Sequence, residues 1–93
     1  MKAEAVINRR ITLSANAFAE VVIWKLATPV PGSDHLFKFR LAYVMDGACV
    51  LRFDNEAGKG GHIHEHGEER DYAFTSPEQL LIDFFAAIDN LEG

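Results

Sequence analysis

Apolar and polar residues alternate over residues 3–13 around Ala5, Ile7, Arg9, Ile11 and Leu13, a period of two that predicts a β-strand. Ser14-Ala15-Asn16-Ala17 reads as a turn. A second strand follows from Phe18 to Leu26, apolar on both faces at Val21-Val22-Ile23-Trp24, as expected of a strand with neighbours on both sides. Thr28-Pro29-Val30-Pro31-Gly32-Ser33-Asp34 breaks the pattern, because proline cannot donate a ladder hydrogen bond. Phe37 to Val44 and Cys49 to Asp54 form the clearest hairpin, turned at Asp46-Gly47. A three-residue loop, Met45-Asp46-Gly47 with a bulge at Gly47, puts Phe39, Leu41, Tyr43, Cys49, Leu51 and Phe53 on one face. Lys38, Arg40, Arg52 and Asp54 then share the other, with Arg40 opposite Arg52 and Lys38 opposite Asp54.

Residues 55–69 are rich in Gly, His and Glu and read as a long exposed loop, followed by a short strand, Asp71-Tyr72-Ala73-Phe74. The helix is the strongest pattern. Ser76 can cap it, Pro77 suits its first position and Gln79 completes a capping box. Leu80, Leu81, Phe84, Phe85, Ile88 and Leu91 fall at helical spacing, and Asp83, Asp89 and Asn90 take the other side. These elements predict an α+β domain over residues 1–93: an antiparallel, meander-like sheet of four or five strands with one C-terminal helix packed on its apolar face.

Composition narrows the function. The 93 residues are 48% hydrophobic, which suits one globular core and excludes a two-domain cofactor enzyme or a repeat array. No apolar run approaches the roughly 18 residues needed to span a bilayer, so no membrane association is expected. Cys49 is the only cysteine, which leaves no internal disulfide or CxxC metal knuckle; it is expected to be buried. The expected compartment is the cytoplasm. Net charge is −5 but uneven: residues 1–53 carry seven bases and four acids, residues 54–93 two bases and ten acids. A local basic surface therefore fits an acidic chain.

Two constellations could carry chemistry. On the polar face of the hairpin, Arg40 opposite Arg52 is a like-charge pair that calls for a carboxylate, such as Asp54 or Glu20, or a bound anion. Two guanidinium forks suit a phosphodiester, with Lys38 and Tyr43 as further substrate contacts. A plain solvated face is the alternative. On this reading Arg52→Ala removes a strained pair, so stability should hold or rise slightly. The second constellation is His62-Ile63-His64-Glu65-His66, whose alternate histidines point to one side if extended. They could bind a divalent metal, move protons near neutral pH, or do nothing in a hydrophilic loop. No Cys and no HExxH helix accompanies them, so no metal and no cofactor is assigned, and proton transfer is favoured over metal. His35, in the proline loop, is expected to cap or pack. The loop glycines lack the spacing of a P-loop.

Lys38-Phe39-Arg40-Leu41-Ala42-Tyr43, Leu51-Arg52-Phe53-Asp54-Asn55-Glu56, His62-Ile63-His64 and the stretch from Tyr72 to Leu81 with Asp83-Phe84 resemble the TumE-type toxins of bacterial and archaeal toxin–antitoxin pairs. Arg-x-Asp-Asn followed by His-x-His is the most telling part. Residues 56–61 stand where many relatives place a histidine pair, so the histidine role rests on His62 and His64. The resemblance implies a small cytoplasmic growth-inhibiting toxin of a type II pair, with a helix-turn-helix antitoxin as its partner. RNA is a candidate substrate, and a homodimer is one option for assembly. A metal-independent ribonuclease fits the residues: Arg40 and Arg52 bind the scissile phosphate, His62 or His64 moves the proton, and Asp54 orients a partner. The rival reading is a non-catalytic protein-interaction module using the same basic sheet face.

Overall fold

The computed structural model describes residues 4–29, 35–56 and 60–92. Six antiparallel strands run in chain order across one open sheet: β1 (Glu4–Ser14), β2 (Ala17–Lys25), β3 (Phe37–Met45), β4 (Ala48–Glu56), β5 (Gly60–Glu65) and β6 (Glu68–Asp71). Helix α1 (Pro77–Glu92) follows. The α+β class and the meander hold; the strand count is six rather than four or five. The difference lies in residues 55–69, expected as a loop. Within it β4 continues to Glu56 and β5 pairs with it, Asp54 against His62 and Arg52 against His64. A His66-Gly67 turn then starts β6, which occupies residues 68–71. Of the expected strand at 71–74 only Asp71 joins the ladder; residues 72–74 lie outside it, tied to β5 by the Tyr72 amide donating to the Gly61 carbonyl at 2.9 Å. A Cβ at Gly61 would stand 2.5 Å from the Tyr72 carbonyl oxygen, so only glycine lets the segment lie this close.

The core lies between one sheet face and the helix. Ala19, Val21 and Ile23 of β2, Phe39, Leu41 and Tyr43 of β3, Leu51 and Phe53 of β4 and Ile63 of β5 are buried with Leu80, Phe84 and Ile88. They are alternate positions on the strands and a one-sided stripe on the helix, the two periods that bury one face each. Ser76 Oγ accepts the Gln79 amide at 3.1 Å, so the cap forms. The Gln79 side chain donates to Asp83 instead, at 2.8 Å, so only half of the expected capping box is made. Of the expected loop at residues 28–34, residues 30–34 lie outside the described residues. His35 packs as expected: its ring centroid is 4.2 Å from that of Phe74, and its Nδ1 accepts the Phe37 amide.

The β3–β4 hairpin differs from expectation in its register. Asp46 and Gly47 both have positive φ, 52° and 79°, so the loop has two residues and Met45 faces Ala48. The extra residue is Val50, because Val44 faces Cys49 while Tyr43 faces Leu51. A bulge thus restores face matching inside β4 rather than at the turn. Three corrections follow. Arg40 faces Asp54, not Arg52, and Arg52 faces Ala42, so the like-charge pair does not exist. Lys38 is not set against Asp54. Cys49, on the turn side of the bulge, is exposed rather than buried.

Candidate functional site

The sheet face opposite the helix is uncovered by any described element, and the pairing lines its residues up in cross-strand rows. One row reads Asn8, Val22, Arg40, Asp54, His62, Asp71 from β1 to β6. The next reads Arg10, Glu20, Ala42, Arg52, His64, Glu69. Strands alternate their side chains, so a histidine at every second position of β5 meets the acid and the arginine at every second position of β4. The sheet therefore brings together Arg40, Arg52, Asp54, His62 and His64, which lie far apart in sequence.

Arg52 Nε donates to Asp54 Oδ2 at 2.8 Å. The other oxygen, Asp54 Oδ1, lies 3.5 Å from His64 Nε2, and His64 Nε2 lies 3.4 Å from Glu69 Oε2. His62 Nε2 is 3.7 Å from Asp71 Oδ1, and the two imidazole centroids are 6.3 Å apart. Burial is graded: the side chains of His62 and Asp54 are 9% and 12% exposed, those of His64 and Arg52 29% and 31%. Among the described residues, Asp54 Oδ1, His62 Nδ1 and His64 Nε2 are buried without a hydrogen-bond partner, the first and last facing each other at 3.5 Å. Buried polar atoms are usually paired, so the cluster has bonding capacity left over. The expectation of an exposed loop fails for His62, which is 7% exposed and pairs with Asp71 of β6.

Asn55 holds the site from below. It is 2% exposed; its Oδ1 accepts the Phe39 amide at 2.9 Å and its Nδ2 donates to the Phe37 carbonyl at 2.8 Å. The side chain thus continues the β3–β4 ladder past its end at Arg40 and Asp54, fixing the backbone that carries Asp54. Arg40 and Lys38 stand exposed on the open face, and Lys38 Nζ reaches the Asn55 carbonyl at 3.5 Å. Tyr43, expected as a substrate contact, is 1% exposed in the core beneath the helix and does not reach this face. His66 sits in the β5–β6 turn, away from the cluster.

A family model described as Toxin TumE matches residues 2–92. The chain belongs to the TumE toxin family. Membership covers the whole sheet and helix, so the cluster across β4 and β5 sits in a TumE toxin fold and not in an appended segment. No curated protein and no solved structure matches the chain significantly. Among the described residues of this TumE toxin, no helix is long and apolar enough to cross a membrane. Nor is any group of three or more His, Cys, Asp or Glu among them placed to hold a metal ion. Sequence reading missed Glu69 and Asp71, which approach the histidines from β6. The signal was present: His66-Gly67 is a two-residue turn between His62-Ile63-His64-Glu65 and an equally short polar run.

Proposed function

We propose that this toxin is one half of a two-protein pair with a helix-turn-helix antitoxin, and that it cleaves RNA without a metal on the open sheet face. The observation that carries the reading is the Arg52–Asp54–His64 chain, with unpartnered Asp54 and His64 atoms, beside His62 on an uncovered surface. Asp54 and Glu69 both approach Nε2 of His64, which leaves Nδ1 as the basic nitrogen. His64, the more exposed imidazole, takes the proton from the ribose 2′-hydroxyl as its oxygen attacks phosphorus. The P–O5′ bond breaks, the leaving oxygen receives a proton from His62, and a 2′,3′-cyclic phosphate and a 5′-hydroxyl result. The imidazole spacing leaves room for one phosphoryl group between the rings. Arg40 and the outer nitrogens of Arg52 bind the phosphoryl oxygens as negative charge grows there.

The rival reading, a non-catalytic module gripping a partner protein through the same face, draws on the half-buried apolar side chains Phe18, Val22 and Trp24 there. The two separate in one experiment. His64→Ala should lower RNA cleavage by about 10²–10⁴-fold, with 10 mM-scale EDTA leaving the parent activity unchanged and growth arrest relieved in parallel. Full toxicity of folded His64→Ala overturns the ribonuclease reading and supports the module.

A further inference from the structure

Beside the histidine cluster, toward β2, the open face sinks into a cavity of about 280 Å³ lined by Val22, Trp24, Lys38, Arg40, Asp54 and Asn55. Pockets for small organic ligands span about 300–1,000 Å³, so this one suits a single flat ring system. Trp24 is half-buried in a mostly apolar lining that includes Val22 and Phe39; it lies directly across from Lys38, and Val22 lies directly across from Arg40. An indole face flanked by an ammonium and a guanidinium offers a base a stacking surface and its phosphates two cations. Asp54 also lines the cavity. Its Oδ1 has no hydrogen-bond partner among the described residues and lies 3.5 Å from His64 Nε2, at the border between the cavity and the histidine cluster, where a base N–H or a ribose 2′-hydroxyl would supply a donor.

We infer that this cavity is a nucleobase subsite: Trp24 stacks one base of a single-stranded RNA whose phosphates lie on Lys38 and Arg40. The inference rests on the ribonuclease reading for its choice of nucleic acid, and it adds residues, Trp24, Val22 and Lys38, that the cleavage chemistry does not use. Geometry sets the spacing. Trp24 stands on β2 and His62 on β5, three strands apart, about 14 Å at the usual strand separation. The RNA therefore runs across the strands, with the stacked base displaced from the cleaved bond rather than at it. Charge sets the direction. The bases Arg10, Lys38, Arg40 and Arg52 belong to β1, β3 and β4, whereas Glu68, Glu69 and Asp71 line β6. The strand is held on the β2–β4 side of the histidines and repelled from the β6 side.

Trp24 is the only tryptophan in the chain, so its fluorescence reports this cavity alone. The His64→Ala protein would be titrated with an unstructured eight-nucleotide oligoadenylate, following indole quenching and, separately, the anisotropy of labelled RNA. The expected result is saturable quenching, with Trp24→Ala weakening binding roughly 5- to 100-fold and Trp24→Phe much less. Lys38→Ala, at an exposed position, should weaken binding with the indole intact, and it carries the test if Trp24→Ala does not fold. Tight binding without quenching, unchanged in Lys38→Ala, overturns the subsite and leaves the ribonuclease reading standing. Saturable quenching in a protein whose parent form cuts no RNA supports the subsite and removes the ribonuclease reading. Quenching by the antitoxin but not by RNA overturns the subsite in favour of a protein-docking face.

Discussion

Arg52 gives its Nε–H to a carboxylate that sits at 12% exposure, and this pairing decides what its removal does. With Arg40 opposite Arg52, truncation would relieve repulsion; with Arg52 bonded to Asp54, it leaves a buried carboxylate without its donor. Arg52→Ala should therefore destabilise the fold by about 1–3 kcal/mol, the usual cost of an orphaned buried group, and Arg52→Lys should recover part of it. Urea unfolding of the three proteins checks the order; an unchanged midpoint in Arg52→Ala would show that Asp54 is sufficiently solvated without its partner. The residues of the site were readable from sequence as types: two arginines, an acid and alternate histidines. Their partners were not, because a bulge at Val50 sets the β3–β4 register and no pattern in Ala48-Cys49-Val50-Leu51 marks it. Tyr43 shows the other limit. Its hydroxyl invites a contact role, but its odd-numbered place on β3 puts it in the core.

At the level of elements, β1 to β4 and the helix followed from alternation, an Asp-Gly turn and a Ser-Pro start. β5 and β6 did not, since Gly60-Gly61 and the charged run Glu68-Glu69-Arg70-Asp71 have low strand preference and gain their structure from pairing, β5 with β4 and β6 with β5. The segment between β6 and the helix is held by one contact whose effect can be measured. Tyr72 Oη donates to Asp83 Oδ2 at 2.6 Å. Burial, then the hydrogen bond to Asp83 and its negative charge, push the phenol well above its ordinary value. A raised acid favours the folded state while the phenol stays protonated. This contribution is complete below about pH 10, where an unfolded tyrosine begins to ionise, and it fades as pH climbs toward the folded value. Thermal unfolding should thus fall more steeply between pH 9 and pH 11 in the parent than in Tyr72→Phe. Near neutrality, Tyr72→Phe should be the less stable of the two, by roughly 0.5–1.5 kcal/mol. Parallel curves would mean the phenol is solvated.

Taken whole, the molecule divides its labour between two sheet faces: one buried under a helix, the other bare and charged. Its net charge of −5 argues against general nucleic-acid affinity, yet half of its 14 acids lie on β6 and the helix, and Asp54 is the acid bonded to Arg52 among Lys38, Arg40 and Arg52. Binding of single-stranded RNA should accordingly weaken with salt only gently. Three phosphate contacts predict a slope of log affinity against log salt near −2, at about −0.7 per contact. Anisotropy titrations between 50 and 300 mM salt would measure it, and a slope steeper than about −5 would show that the RNA wraps well beyond this face.

The strand order has a consequence for the order in which the core closes. Every strand neighbours the one before it in the chain, so the sheet can assemble hairpin by hairpin, each closing on the microsecond scale. The helix that covers Val21, Leu41 and Phe53 is translated after all six strands, and at about 5–20 residues per second its sixteen residues take seconds to appear. Until then the sheet has one apolar face open to water. The core beneath the face that carries Asp54 and His64 is thus the last part of the fold to close, when Phe84 seats against Phe53.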